Sequence, residues 1–234
     1  MITLIASVAL STTLVQGVTK EQGDLQVTRF DLPLGSVTVY LPDDMMAGDT
    51  ISGTVVPSPK GTGRIAEQNA GVLTGYVVTI QGEKPKRDKG LPVWTIPAGV
   101  ATVAVALNTP DGQPVATAEC PLTPPGYLHN FDKFEIDPIS MASAPNQVRG
   151  PFDGDSANTQ VSVGGKPMTV VAETPRSCVA VGEPVKPGQA TVDVVDNGQK
   201  ASLPCNMVQV NMTVPKTTLM EGEKRSEEHT SELQ

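Results

Sequence analysis

The chain has 234 residues, with 22 glycines, 21 prolines, 3% aromatic residues and a formal net charge of −8. That length holds one large domain or two of about 100 residues, and short Val/Thr-rich runs between turn residues fit small all-β modules better than helical ones. The acidic balance excludes nucleic acid as a partner, because phosphate binding needs a concentrated positive field; the most basic stretch, EKPKRDKG at 83–90, mixes acids with its bases and reads as a solvated loop.

In chain order, MITLIASVALSTTLVQG (1–17) has an apolar segment from Ile2 to Leu10, then small and polar residues, with Val15 and Gly17 where a small-residue cleavage site would fall. It resembles a secretory signal peptide, which predicts export, although no Lys or Arg precedes it. A start further upstream and a buried first strand are the other readings. No membrane span is expected, since a spanning helix needs about 20 apolar residues.

Strands are predicted at LQVTRFDL (25–32), SVTVYLP (36–42), TISGTVV (50–56), LTGYVVTI (73–80) and ATVAVAL (101–107), each β-branched and bounded by Gly, Pro or Asp. Val103, Val105 and Leu107 should share one face, with Thr102, Ala104 and Ala106 on the other. Asp111-Gly112 then supplies the positive φ of a hairpin. PLTPPGYLHNFDKFEIDP (121–138) stops the pattern and reads as a linker. Beyond it, Gly164-Gly165 and Asn197-Gly198 mark two more hairpins, and no long stretch has helical periodicity.

Three cysteines, Cys120, Cys178 and Cys205, are too few for a disulfide scaffold and form no C-x-x-C pair. Cys178 and Cys205 could bridge two strands of an exported module, or all three could be small buried side chains. The stretches ATVAVALNTPDGQPVATAEC and ATVDVVDNGQKASLPC echo each other as strand, turn, strand and cysteine.

From 134 to 205 the chain resembles a TIG/IPT domain. The residues that carry the resemblance are GPFDGDSANTQVSVGGKPMTVVAETPRSCVAV (150–181) and KPGQATVDVVDNGQ (186–199), with Gly150 and Gly154 standing where the family has tandem glycines. It implies an immunoglobulin-like sandwich used as spacer, interface or ligand reader, as in receptors, transcription factors and bacterial surface proteins, and is nearly silent on function. The first module is similar to Ig-like or prealbumin-like sandwiches only in general style.

NMVQVNMTVPKTTLMEGEK (206–224) begins a further strand pattern, and RSEEHTSELQ (225–234) matches one reading frame of a short-read sequencing adapter. The tail is therefore expected to be foreign, with the natural protein continuing past Lys224. The division predicted is a leader at 1–17, sandwiches at 24–123 and 134–206 joined by a linker at 124–133, a third unit begun at 207–224, and adapter at 225–234. The fold class is all-β: two tandem Ig-like β-sandwich domains plus a truncated third β unit.

Signatures of chemistry are sparse. His129, the one histidine outside the tail, lies in the linker, and a Ser-His or Cys-His pair would need a supporting constellation. G-x-S-x-G, H-E-x-x-H and Walker motifs do not occur. Asp43, Asp44 and Asp49 gather in LPDDMMAGD, and Asp153, Asp155 and Asn158 have the D-x-D spacing of calcium loops, but lack the later glutamate and flanking helices of an EF-hand; turn geometry accounts for them. Trp94, with Tyr40, Tyr76 or Tyr127, could form a sugar-binding face, although Trp in an alternating strand is more often core.

No catalytic, cofactor-binding or metal-ligating residue is therefore assigned. The sequence predicts non-enzymatic structural or adhesive modules of a secreted or cell-surface bacterial protein, partnered by protein or polysaccharide. The alternative is an accessory, carbohydrate-binding part of a secreted hydrolase whose catalytic domain lies elsewhere.

Overall fold

The computed structural model describes residues 14–86, 90–126, 131–142 and 144–209. Its first half contains β1 (Val15–Gln16), β2 (Val18–Gln22), β3 (Leu25–Leu32), β4 (Gly35–Pro42), β5 (Thr50–Pro59), α1 (Gly63–Gly75), β6 (Val77–Ile80), β7 (Val93–Thr95), β8 (Thr102–Asn108) and β9 (Pro114–Pro121). The second contains β10 (Glu135–Ile136), β11 (Ile139–Met141), β12 (Asn146–Arg149), a 3-10 turn (Ser156–Asn158), β13 (Gln160–Val163), β14 (Lys166–Glu173), β15 (Ser177–Val181), β16 (Gly188–Asp196) and β17 (Gln199–Val208). The molecule is an all-β sandwich structure, with one α-helix among the described residues.

In the first sandwich, a sheet of order β1-β9-β8-β6 lies over the antiparallel run β2-β3-β4-β5. Alternation drives this: Val37, Val39 and Leu41 of β4 and Val103, Val105 and Leu107 of β8 are buried, while the residues between them, Thr38, Tyr40, Ala104 and Ala106, are half-buried. Phe30, Ile51, Ile80 and Trp94 complete this core, each such side chain contributing about 1.5–3 kcal/mol on burial. The second sandwich packs Val161, Val163, Val192, Val194 and Met207 against Val148, Cys178 and Ala180. Phe134 and Phe152 close it edge to face, with ring centroids 5.1 Å apart.

The Gly164-Gly165 and Asn197-Gly198 turns both take positive φ at the two central residues, as two-residue hairpins require. Asp111-Gly112 sits instead in a longer loop closed between Asn108 and Pro114.

Several expectations change. Residues 73–76, read as the start of a strand, end α1, and β6 begins only at Val77. The helix shows no periodic signal because it buries only Leu73 and leaves Ile65 and Val72 exposed. The placing of residues 15–17 in a leader also changes. Val15 and Gln16 pair in parallel with Ala116 and Thr117 of β9, the Gly17 amide donates to the Thr117 carbonyl, and Gly17 lies against the Phe30 ring, where a Cβ would collide. Residues 15–17 thus belong to the sheet, while 1–13 lie outside the described residues.

Cys178 and Cys205 do not bridge. Cys178 opposes Val148 and Glu173 in one sheet, Cys205 opposes Ala190 in the other, and all three thiols are free and buried. Burial pushes each thiol up from its ordinary pKa. Met207 and Val208 complete β17 instead of opening a third unit, pairing with Ser140 and Met141. Residues 210–224 of the expected third unit and the adapter-like tail lie outside the described residues.

The two sandwiches are stitched into one hydrogen-bonded sheet. The start of β5 pairs with β7 through Thr50, Ile51 and Ser52, and with β14 through Ser52–Glu173 and Gly53–Ala172. Beyond Gly53, β5 pairs with β4. β14 leaves β13 after Met168 and pairs with β15 from Thr169 onward, and a bulge between Val170 and Ala172 shifts that pairing just before the junction.

Candidate functional site

The junction between the sandwiches gathers several buried polar groups, among them Asp49, Ser52, Glu173, Thr174, Arg176 and Ser177. Arg176, on the turn between β14 and β15, forks onto Asp49, just ahead of β5: its Nη1 donates to Oδ1 at 3.1 Å and its Nη2 donates to Oδ2. Nη2 also donates to the Asp44 carbonyl at 3.1 Å, and the Thr174 hydroxyl donates to the Asp44 carboxylate at 3.2 Å. Both members of the ion pair are nearly fully buried, so the bond is charge-assisted, bidentate and shielded from salt. The Thr54 hydroxyl adds a bond to the Val171 carbonyl at 2.7 Å.

LPDDMMAGD thus supplies junction residues rather than a solvated turn. Asp43, lacking a cation, has its carboxyl pushed up to about 6 by burial, with Asp44, Asp24 and Glu21 adding to the effect.

Beside the junction, carboxylate oxygens of Asp153, Glu173 and Asp196 lie within 4.8 Å of one another. Asp153 comes from the loop after β12, Glu173 ends β14, and Asp196 ends β16 before the Asn197-Gly198 turn. Asp153 is exposed and well bonded: Oδ1 accepts the Asp155 amide at 2.8 Å, and Oδ2 accepts from Asn197 Nδ2 at 2.6 Å and Asn158 Nδ2 at 3.4 Å. Asp155 accepts the Ala157 amide at 3.1 Å, capping the 3-10 turn. Asp153 and Asp155 thus each accept a backbone amide two residues further on, an arrangement of turns.

Glu173 is different. It is completely buried, and no hydrogen bond of ordinary geometry reaches either carboxylate oxygen. The nearby Thr159 hydroxyl donates its proton to Asp196 Oδ1 at 2.9 Å. Burial, reinforced by Asp196, Asp153 and Asp155, pushes the Glu173 carboxyl up to about 8 against the opposing Thr159 hydroxyl. Asp196 is also raised, mainly by burial. Opposite Glu173 on β5, the fully buried Ser52 hydroxyl is likewise without a partner, and directly opposed residues share a face of the sheet.

Gly154 holds this loop on the first sandwich. Its φ is +80°, and a Cβ there would run into the Thr50 carbonyl of β5.

A second feature, an apolar groove of 580 Å³, runs between the sandwiches, lined by Tyr40, Val56, Ile139, Met141, Val171 and Val181 with Gln22 and Asp24 at its polar edge. Of the aromatic residues considered for sugar binding, Tyr40 alone lies here. Trp94 is 2% exposed and packs in the first core, and Tyr76 is half-buried against that core. Tyr127 and His129 lie outside the described residues. Among the described residues, no helix is long and apolar enough to cross a membrane.

Fold and junction together define a pair of joined β-sandwiches. No protein-family model matches the chain, and no curated protein is similar to it in sequence. Among solved structures it is similar to SGBP-B of the Bacteroides ovatus mixed-linkage glucan utilization locus, in complex with a mixed-linkage heptasaccharide, at 11% identity over 82% of this chain and 46% of that one, TM-score 0.27. It is similar to SGBP-B of a complex xyloglucan utilization locus in Bacteroides uniformis at 11% identity, 82% and 48% coverage, TM-score 0.24. A chimeric titin Z1Z2 carrying an exogenous decorin peptide follows at 15% identity, 86% and 96% coverage, TM-score 0.22. The chain spans about half the length of the two Bacteroides proteins, and likenesses this distant carry no functional argument.

Proposed function

We propose that this chain is a non-enzymatic part of an exported, secreted or cell-surface bacterial protein, in which an Ig-like module at 24–123 and a TIG/IPT-like module at 134–206 act as one structural or adhesive unit for a protein or polysaccharide partner. The observation that carries the reading is the sheet that continues from one sandwich into the other through β5 and β14, with the Arg176–Asp49 pair sealing it. A main-chain junction of this kind fixes the groove between the modules. A pre-formed groove recognises a partner without the ordering cost of a hinge. Its lining, one tyrosine among aliphatic side chains with a polar edge, suits sugar rings and extended peptides alike.

The test is a screen of the purified chain against a glycan array and against cell-envelope proteins, repeated with Tyr40→Ala and Ile139→Asp. Micromolar retention of one polysaccharide or protein, lost in both groove variants, is the expected result. No retention of either class, together with turnover of a glycoside, ester or peptide substrate, overturns the reading.

A further inference from the structure

We propose that Asp153, Glu173 and Asp196 form a calcium-binding site at the junction of the two sandwiches. Three carboxylate oxygens within 4.8 Å of one another match the spacing of ligands around a hard cation that takes oxygens at about 2.3–2.6 Å.

Grouped acids alone would mean little, and the independent sign is Glu173. A completely buried carboxylate with both oxygens unbonded is among the costliest arrangements a fold can hold, because a buried polar group without a partner loses its full hydration. A divalent cation removes that cost and neutralises the repulsion among the three acids. The unbonded Ser52 hydroxyl, facing Glu173 across the β5–β14 pairing, offers a fourth neutral oxygen from the other sandwich. The donors are all oxygens, with no histidine or thiol in the group, which selects calcium over zinc or copper. Irregular, partly loop-borne geometry favours calcium over magnesium, which demands a tight octahedron.

The site has a structural consequence. Asp153 lies one residue from Gly154, whose backbone is pressed onto Thr50 of β5. A cation there would tie the loop after β12, the end of β14 and the end of β16 to the strand shared by both modules. It would bear on the rigidity of the junction, independently of what the groove binds.

The experiment is calorimetric titration of the full chain, stripped with chelator, with calcium chloride at about pH 8, paired with thermal unfolding. Expected are a Kd of about 10⁻⁴–10⁻³ M, the range of extracellular calcium modules, and a Tm raised by roughly 3–10 °C at ~10 mM calcium. Magnesium chloride should bind more weakly. Glu173→Gln and Asp196→Asn should each weaken calcium binding by at least about tenfold and abolish the Tm shift, while Asp193→Asn, on the exposed face of β16, should leave both unchanged. Glu173→Gln removes a buried charge and keeps the shape of the side chain, so it folds without calcium and keeps the comparison meaningful. Absence of heat and of any Tm shift in the wild-type chain overturns the proposal, as does calcium binding retained in full by Glu173→Gln and Asp196→Asn.

Discussion

Trp94 shows how a single side chain separates two readings of this protein. It sits at 2% exposure opposite Ile51 in the β5–β7 pair, so Trp94→Ala should cost about 3–5 kcal/mol in urea unfolding. Trp94→Phe should leave any glycan retention intact; loss of retention without loss of stability would make it a sugar platform after all. Asp43 carries a pH signature. Its folded pKa of about 6 is raised above the ordinary 3.8 by burial first, then by Asp44, Asp24 and Glu21. The stability it permits is fully present below pH 3.8 and is lost as pH rises through 6. Asp43→Asn should therefore gain in Tm relative to wild type as pH rises from about 4 to about 7, and a constant difference across that range would show that Asp43 is not the titrating group.

The same residues show why part of the site was hidden. The D-x-D stretch marks Asp153 by local spacing, but Glu173 ends one strand and Asp196 precedes an Asn-Gly turn, where an acid reads as turn chemistry. The one available signal is Glu173 itself, a charge directly after the apolar run Val170–Val171–Ala172.

At the scale of elements, β4, β8, β16 and the Gly-Gly and Asn-Gly hairpins were legible because period-two burial and positive-φ turns are local in sequence. The helix was not, because α1 rests on the first sandwich through little more than Leu73 and so needs no apolar stripe. The pairing of β5 with β14 was equally invisible. Nothing in TISGTVV announces that its first residues belong to another partner than its last. Arg176 and Asp49 are the test of that junction. Truncating one partner of a buried pair costs about 3–5 kcal/mol, so Arg176→Met should destabilise by that amount. The double variant Arg176→Met, Asp49→Leu should recover much of the loss, since two apolar side chains need no counter-charge. Additive losses in urea unfolding would show that the two residues do not act as a pair.

For the whole molecule, the two cores are separate clusters joined by a hydrogen-bonded seam and by a small apolar cluster in which Leu25 of β3 meets Ala172 and Val179 of β14 and β15. Such a pair should tumble as one body, with a single rotational correlation time by NMR relaxation for residues of both sandwiches. Arg176→Met should split it into two, and two times already in the wild-type chain would contradict the fixed junction. The seam also has a history within each synthesis of the chain. Asp49 and Arg176 stand 127 residues apart, so at translation rates of about 5–20 residues per second the first half waits roughly 6–25 s for the strand that covers β5. During that interval the backbone of Ser52 and Gly53 is an open edge, ready to accept a strand from any neighbouring chain. The acid at position 49, without its arginine until the second half arrives, stands beside that edge as a charge that discourages a foreign strand from settling there.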